Sequence, residues 1–369
     1  KPHMQELMKD VSSALDALVA SGCVDQLSGR SLLVTGARGY LGRYVVALLL
    51  EFNRRQARAR KEGCRIWAMD SLLLGDDERA EWRNQDGLVF IQHDVRHHFG
   101  GMRLERIDYV LHLAGIASPT WYQQYPLETI AVAVDGTRNM LELAKDQGAR
   151  ILFSSSSEVY QTAEVVPTPE SYVGAVPSMT ERSSYDCSKL LGETLCYVYA
   201  TKEDVHATVV RIFNSFGSGM RQKDQRILPR IASAMKSGTP LRVFASEHPQ
   251  GGHPYVPGGV LPRRTYTPVA NTLFGLFLAL LRGERAPGGV YNLGLEAPEV
   301  TVPQLCNLVE RVTGRTVPLE YAPPPDNYAS EPMRRCPDIA RLKGLGFQPV
   351  VNLEEGLRRF FDWALEVYV

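Results

Sequence analysis

The chain has 369 residues, 44% of them hydrophobic and 22% charged, and its 41 Lys+Arg are balanced by 41 Asp+Glu. That balance gives no general argument for nucleic acid or an anionic membrane as partner, and the composition is that of an ordinary soluble core. No apolar run reaches the roughly 18 residues of a spanning helix, and Lys1-Pro2-His3-Met4 has no apolar signal core.

Residues 5–28 read as an amphipathic helix, with Leu7, Val11, Leu15 and Leu18 on one stripe, forming an N-terminal helical extension (1–29) packed on the fold or on a partner. Residues 31–35 form a short buried strand, followed by Gly36-Ala37-Arg38-Gly39-Tyr40-Leu41-Gly42 and an apolar helix over 44–52. Glycines three apart between strand and helix let a pyrophosphate approach the backbone at a helix N-terminus, so this turn implies dinucleotide binding; a tight strand–helix turn is the plainer alternative. Gly36, Arg38, Gly39, Tyr40, Leu41 and Gly42 are the candidate cofactor contacts.

A second strand, 65–70, ends in Asp70, where a carboxylate would accept both ribose hydroxyls and repel a 2′-phosphate, favouring NAD over NADP. The basic run upstream (Arg54, Arg55, Arg58, Arg60, Lys61) keeps NADP open, and Asp is also common in such turns. A third strand, 88–95, brings Asp94 and Val95, with Asp94 either on the adenine amino group or simply forming a turn. A fourth, 107–113, opens through Leu113 and Ala114 into small residues that a cofactor could pass closely. A helix over 130–145 and a fifth strand, 151–153, follow.

That strand breaks into Ser154-Ser155-Ser156-Ser157-Glu158, as a buried parallel strand does when it delivers hydroxyls to its C-terminal edge. Tyr185 and Lys189, four apart, share one face of a helix running to about 202 if Ser183 or Ser184 caps it. An ammonium near a phenol lowers its pKa and prepares it to take a proton from an alcohol. A sixth strand covers 207–212. Beyond it come helices over 227–237, 271–281, 302–312, 339–345 and 353–368, strands over 241–245 and 290–293, a Gly/Pro/His-rich loop over 246–262 and a triproline linker at 323–325. His248 and His253 in that loop could hint at a metal but more simply belong to a polar loop. Six scattered cysteines without Cys-x-x-Cys spacing point to reduced thiols in a cytoplasmic protein and to no metal site. The alternation predicts an α/β fold, a Rossmann-type doubly wound parallel sheet with a smaller C-terminal α/β lobe.

Together, Gly36/Gly39/Gly42, Ser156, Tyr185 and Lys189 resemble the extended short-chain dehydrogenase/reductase family. Ser156-Ser157-Glu158-Val159-Tyr160, Pro169-Glu170-Ser171-Tyr172, Arg211-Ile212-Phe213-Asn214 and Pro337-Asp338-Ile339 resemble its UDP-glucuronic acid decarboxylase branch. The resemblance implies bound NAD, an NAD-binding domain over 30–212, a mainly nucleotide-sugar-binding lobe over 213–369, and a homodimer built on the helices over 130–145 and 185–202. It implies that Tyr185, helped by Lys189 and Ser156, oxidises C4 of the sugar with NAD, that CO2 leaves from the β-keto acid, and that C4 is reduced again. Glu158 would act at C5. Tyr122, Glu158, Asn214, Arg226 and Arg264 match substrate-side positions. Sugar 4,6-dehydratases carry Asp-Glu where this chain has Ser157-Glu158, and 4-epimerases usually lack the carboxylate; both remain the alternatives on this scaffold. Ala133, Gly217-Ser218-Gly219-Met220 and Thr267-Pro268-Val269-Ala270-Asn271 depart from the family pattern, so the product is either a UDP-pentose or its 4-ketone. A non-catalytic NAD-sensing or scaffold protein would be expected to have lost Tyr185 or Lys189, and neither is lost.

Overall fold

Short apolar runs separated by helices fold as parallel strands, because helices on both faces leave such strands no solvent side. The computed structural model describes residues 2–74, 85–99, 104–224, 226–244, 261–322 and 332–369. The triproline linker, and the 246–262 loop with both its histidines apart from its last two residues, lie outside the described residues.

The strands in chain order are β1 (Ser31–Thr35), β2 (Arg65–Asp70), β3 (Leu88–Gln92), β4 (Tyr109–His112), β5 (Arg150–Ser156) and β6 (His206–Ile212). Shorter ones follow: β7 (Ser215–Phe216), β8 (Leu241–Phe244), β9 (Arg263–Arg264), β10 (Thr267–Pro268), β11 (Val290–Leu293), β12 (Leu319–Ala322) and β13 (Arg334–Arg335). The main sheet has seven strands in the order β11-β6-β5-β4-β1-β2-β3, and every neighbouring pair is parallel. The order reverses beside β1, so the crevice outside the C-terminal ends of β1 and β4 is where such a sheet binds ligands.

The helices are α1 (Pro2–Ser21), α2 (Tyr40–Arg58), α3 (Pro119–Gln124), α4 (Pro126–Ala131), α5 (Thr137–Gln147) and α6 (Ser183–Lys202). After them come α7 (Ile227–Ser237), α8 (Val269–Arg282), α9 (Val302–Thr313), α10 (Ala340–Gly344) and α11 (Leu353–Val367). The expected 5–28 helix is shorter at its C-terminal end: α1 stops at Ser21, Gly22 turns with φ +74, and Val24–Leu27 make a separate 3-10 turn. Its stripe packs on its own chain, with Leu7, Val11, Leu15 and Leu18 buried among residues of α2 and α8. The helix expected from 44 starts at Tyr40, because Gly39 is already its N-cap. The third strand ends at Gln92, its last rung being the hydrogen bond from His93 N–H to Asp70 O, and so stops short of Asp94. The helix expected over 130–145 is the α4–α5 run, joined by one π turn at Val132–Gly136.

The C-terminal segment does not stay in one lobe. β11 adds to the main sheet beside β6, and α8, mostly apolar and buried over Val269 to Leu281, packs beneath β5 and β6. The remainder forms its own core around Leu305, Phe360, Phe361 and Trp363. There β12, a strand that sequence periodicity did not reveal, pairs with β8, and β13 pairs with β9 in a register that sets Arg335 opposite Arg264.

Candidate active site

β1 feeds directly into the glycine turn. Gly36 has φ +64, and a Cβ there would lie 2.8 Å from Cα of Ala114. A Cβ on Gly42 would lie 2.0 Å from the Gly36 carbonyl oxygen. The turn is thus packed backbone against backbone at the N-terminus of α2, a cradle that admits a pyrophosphate. Asp70, at the end of β2, accepts from the backbone N–H of Arg38 (2.8 Å) and of Leu72 (2.9 Å), which aims the carboxylate at the turn. The Arg38 guanidinium lies 5.2 Å over the Phe90 ring. Ala114 N–H donates to Thr35 Oγ1 (3.2 Å), tying β4 to β1 beneath the cradle. Leu113, Tyr40 and Leu41 line the adjoining cavity. Asp94 is gripped by Arg96, whose Nε lies 3.0 and 2.9 Å from its two oxygens. Burial raises the Asp94 pKa, but Arg96 outweighs it and holds the group down. Val95 is buried, and its carbonyl accepts from Asn139 (2.8 Å).

β5 carries the serines to the sheet edge, and α6 brings Tyr185 and Lys189 over them. The expected serine cap of α6 is absent: Arg182 is the N-cap, and Ser183 Oγ instead accepts from Thr180 N–H at 2.8 Å. Lys189 Nζ donates to the Ser154 carbonyl (2.7 Å) and lies 5.7 Å from the centre of the Tyr185 ring. Tyr185 is buried with its ring stacked on Tyr122, centroids 5.3 Å apart. Burial pushes the Tyr185 phenol up, and a hydrogen bond with Ser156 opposes it. Burial also pulls Lys189 down to about 8, against the pull of Glu193. In this arrangement Ser156 makes the stabilising contact to the phenol, while the Lys189 ammonium lies over the ring.

Glu158 sits in the 3-10 turn Ser157–Tyr160, whose N-cap Ser156 accepts from Glu158 N–H at 3.2 Å. One carboxylate oxygen takes a hydrogen bond from Arg182 and the other from Arg335. Burial alone would raise the Glu158 pKa, but Arg335 and Arg182, with Arg264 behind them, hold it at about 2. Glu158 is therefore an anion at neutral pH.

These groups line a cavity of about 520 Å³ that extends from the sheet edge into the lobe. Tyr122, Asn214, Arg226 and Arg264 all lie on its wall. Asn214 has φ +43, and its amide donates to the Thr265 carbonyl (2.9 Å). Arg226 donates through Nε to Asp224 (2.9 Å) and lies 5.7 Å over the Tyr40 ring. Arg335 and Arg182 reach the same wall, and sequence reasoning missed both. The signals were small: Arg182 lies three residues before Tyr185, and Arg335 two before the Pro337-Asp338-Ile339 motif. Neither follows a helical or strand period toward Glu158.

Among the described residues, no group of three or more His, Cys, Asp or Glu side chains could hold a metal ion, and no helix is long and apolar enough to cross a membrane.

A model of the NAD dependent epimerase/dehydratase family matches residues 32–294. UDP-glucuronic acid decarboxylase 1 of Danio rerio is 32% identical over 342 residues, covering 91% of this chain and 74% of that protein. UDP-glucuronic acid decarboxylase 5 of Arabidopsis thaliana is 31% identical over 332 residues, 89% of this chain and 88% of that protein. Among solved structures, UDP-glucose 4-epimerase of Thermus thermophilus complexed with NAD is similar in fold, with a TM-score of 0.73 and 24% identity over 92% of this chain and all (100%) of that one.

Proposed function

Since this chain belongs to the NAD dependent epimerase/dehydratase family, we propose that it decarboxylates a nucleotide-linked hexuronic acid, UDP-glucuronate, to UDP-xylose or to the corresponding 4-keto pentose. The observation that carries this reading is the Glu158 anion clamped between Arg335 and Arg182 on the cavity wall that also holds Tyr185 and Ser156. The relatives named UDP-glucuronic acid decarboxylase support it.

The side-chain-free cradle at Gly36, Gly39 and Gly42 and the carboxylate of Asp70 fit a dinucleotide with an unmodified ribose. Bound there, NAD would supply the oxidising and reducing equivalents for C4. Tyr185 takes the proton of the 4-hydroxyl, and Ser156 holds the same oxygen. Lys189, charged below about pH 8, stabilises the phenolate through a dry interior. A ketone at C4 makes the C5 carboxylate a β-keto acid, and CO2 departs as its electron pair passes to the C4 oxygen. The protonated Tyr185 hydroxyl donates to that enolate oxygen. Arg335 and Arg182 donate to Glu158 and keep it ionised beside the reacting carbon. Glu158, being ionised, orders the water that returns a proton to C5. Tyr122 backs the Tyr185 ring, and Asn214, Arg226 and Arg264 line the path to the sugar and diphosphate.

We extend the proposal to a homodimer. Leu127 and Ile130 on α4 and Leu191, Tyr197 and Val198 on α6 are apolar and exposed, which suits pairing of these helices across a two-fold axis. The six free cysteines, five of them buried, suit a reducing compartment, and we assign the protein to the cytoplasm.

The test is incubation with UDP-glucuronate, with and without added NAD, following CO2 and the sugar by NMR. CO2 with UDP-xylose is the expected result, and CO2 with a 4-ketone and accumulated NADH would mean that C4 is not reduced again. No CO2, with UDP-glucose or a dTDP-sugar converted instead, overturns the reading in favour of an epimerase or dehydratase.

A further inference from the structure

Directly after the Glu158 turn the chain does something sterically unfavourable. Gln161 has φ 49 and ψ −131, on the side of the backbone map that glycine occupies freely and side-chain-bearing residues avoid. A residue held there needs a reason in its side chain. Gln161 is buried, and its Nε2 donates to Asp186 Oδ2 at 2.6 Å and to the Glu158 carbonyl at 3.2 Å. Asp186 is 1% exposed. Its Oδ2 also lies 3.5 Å from Arg182 Nε, while its Oδ1 is buried with no hydrogen-bond partner among the described residues. Arg182 in turn donates to Glu158 Oε2. One amide thus reaches two acceptors, and one guanidinium lies between two carboxylates.

We propose that Gln161 is a positioning residue: its amide fixes Asp186, Asp186 fixes Arg182, and Arg182 holds the Glu158 carboxylate at the cavity wall. The proposal takes its substrate from the decarboxylase reading, whereas the chain of contacts stands without it. The charged and titratable groups around Asp186 are Glu158 from the turn after β5, Arg335 from β13, and Arg182, Tyr185 and Cys187 on its own helix. Burial and the Glu158 charge push Asp186 up to about 6, and Arg182, Gln161 and Arg335 oppose them. The two carboxylates thus titrate as a pair, with Glu158 held down by its two guanidiniums and Asp186 pushed up by burial and the Glu158 charge.

The geometry makes an unusual demand. Gln161→Gly relieves the backbone while deleting the amide, so the fold is kept but the positioning contact is lost, and kcat for CO2 release should fall about tenfold with KM little changed. Gln161→Glu sets a second carboxylate against Asp186 and should move the acid limb of the kcat profile upward by about one pH unit. Wild-type kcat in Gln161→Gly, or an unmoved acid limb in Gln161→Glu, would overturn the proposal. Should the wild-type protein release no CO2 at all, the decarboxylase reading falls and the inference is judged on the 13C NMR titration of Asp186. Loss of the Gln161 amide should raise that midpoint, and a midpoint unchanged in Gln161→Gly overturns it.

Discussion

Arg335 donates to the Glu158 carboxylate from 177 residues further along the chain, joining the small β9–β13 ribbon of the lobe to the edge of the main sheet. Only the folded protein brings them together, so the pair couples stability to pH. The Glu158 carboxyl drops from its ordinary 4.5 to about 2 on folding. A depressed acid contributes stability that is complete above its unfolded pKa and is lost as pH falls through its folded one. Wild type should therefore lose on the order of 2–3 kcal/mol more than Glu158→Gln between pH 4.5 and pH 2. Urea unfolding of both proteins at stepped pH measures this. At pH 7 the variant should release CO2 at least about 10²-fold more slowly.

Lys189 gives the opposite combination of activity and stability. Its folded pKa is depressed from 10.5 to about 8 by burial, so the fold holds a desolvated ammonium at neutral pH. Stability linked to this group is full above pH 10.5 and lost as pH falls through 8. Lys189→Met should consequently be no less stable than wild type at pH 7, and the comparison should move in favour of wild type between pH 8 and 10.5. The same variant, like Tyr185→Phe, should lose about 10²–10⁴ in the rate of NADH formation followed at 340 nm.

What was readable from sequence followed local chemistry. β2, β11 and α7 lie where apolar runs and flanking turns put them, and Tyr185 and Lys189 share a helix face because four residues make about one turn. The glycine turn was visible because glycine spacing reports a backbone requirement directly. Arg182, Arg335 and Asp186 were not, since their meaning comes from charge pairing between the Glu158 turn, α6 and β13. Periodicity also overlooked β12, whose four residues gain their place only by pairing with β8. The helix cap expected at Ser183 or Ser184 is not formed: Arg182 is the N-cap, and the Ser183 hydroxyl takes Thr180 N–H instead.

The tightest backbone approach in the cofactor turn is at Gly42. Its missing Cβ would sit 2.0 Å from the Gly36 carbonyl and 2.7 Å from Ala37 Cα, neither of which can swing aside as a flexible side chain would. Gly42→Ala should destabilise the protein by about 1–3 kcal/mol and weaken NAD binding, measured by thermal melts and by calorimetric titration. Normal affinity with a normal melting temperature would show that α2 can shift to accept the methyl group.

Asp70 should decide between the two nicotinamide dinucleotides. With both carboxylate oxygens facing the Arg38–Leu72 backbone, its charge stays close to the ribose edge of the turn. Wild type should bind NAD well and NADP poorly. Asp70→Ser should narrow that gap by about tenfold or more, since each 1.4 kcal/mol of removed repulsion is a factor of ten. Fluorescence titration with both reduced dinucleotides reads it.

The N-terminal helix has a consequence for handling the protein. α1 lies across α8 and α2 and reaches α11, where Arg359 donates to Asp10 at 2.9 Å. Without it, α8 would present an oily flank to water, because that helix is buried along its whole length from Val269 to Leu281 and is mostly apolar. A fragment beginning at β1 would retain every residue lining the cavity and yet be prone to clump. The helix serves as a built-in sheath, and expression boundaries drawn tightly around the matched family region would strip it away.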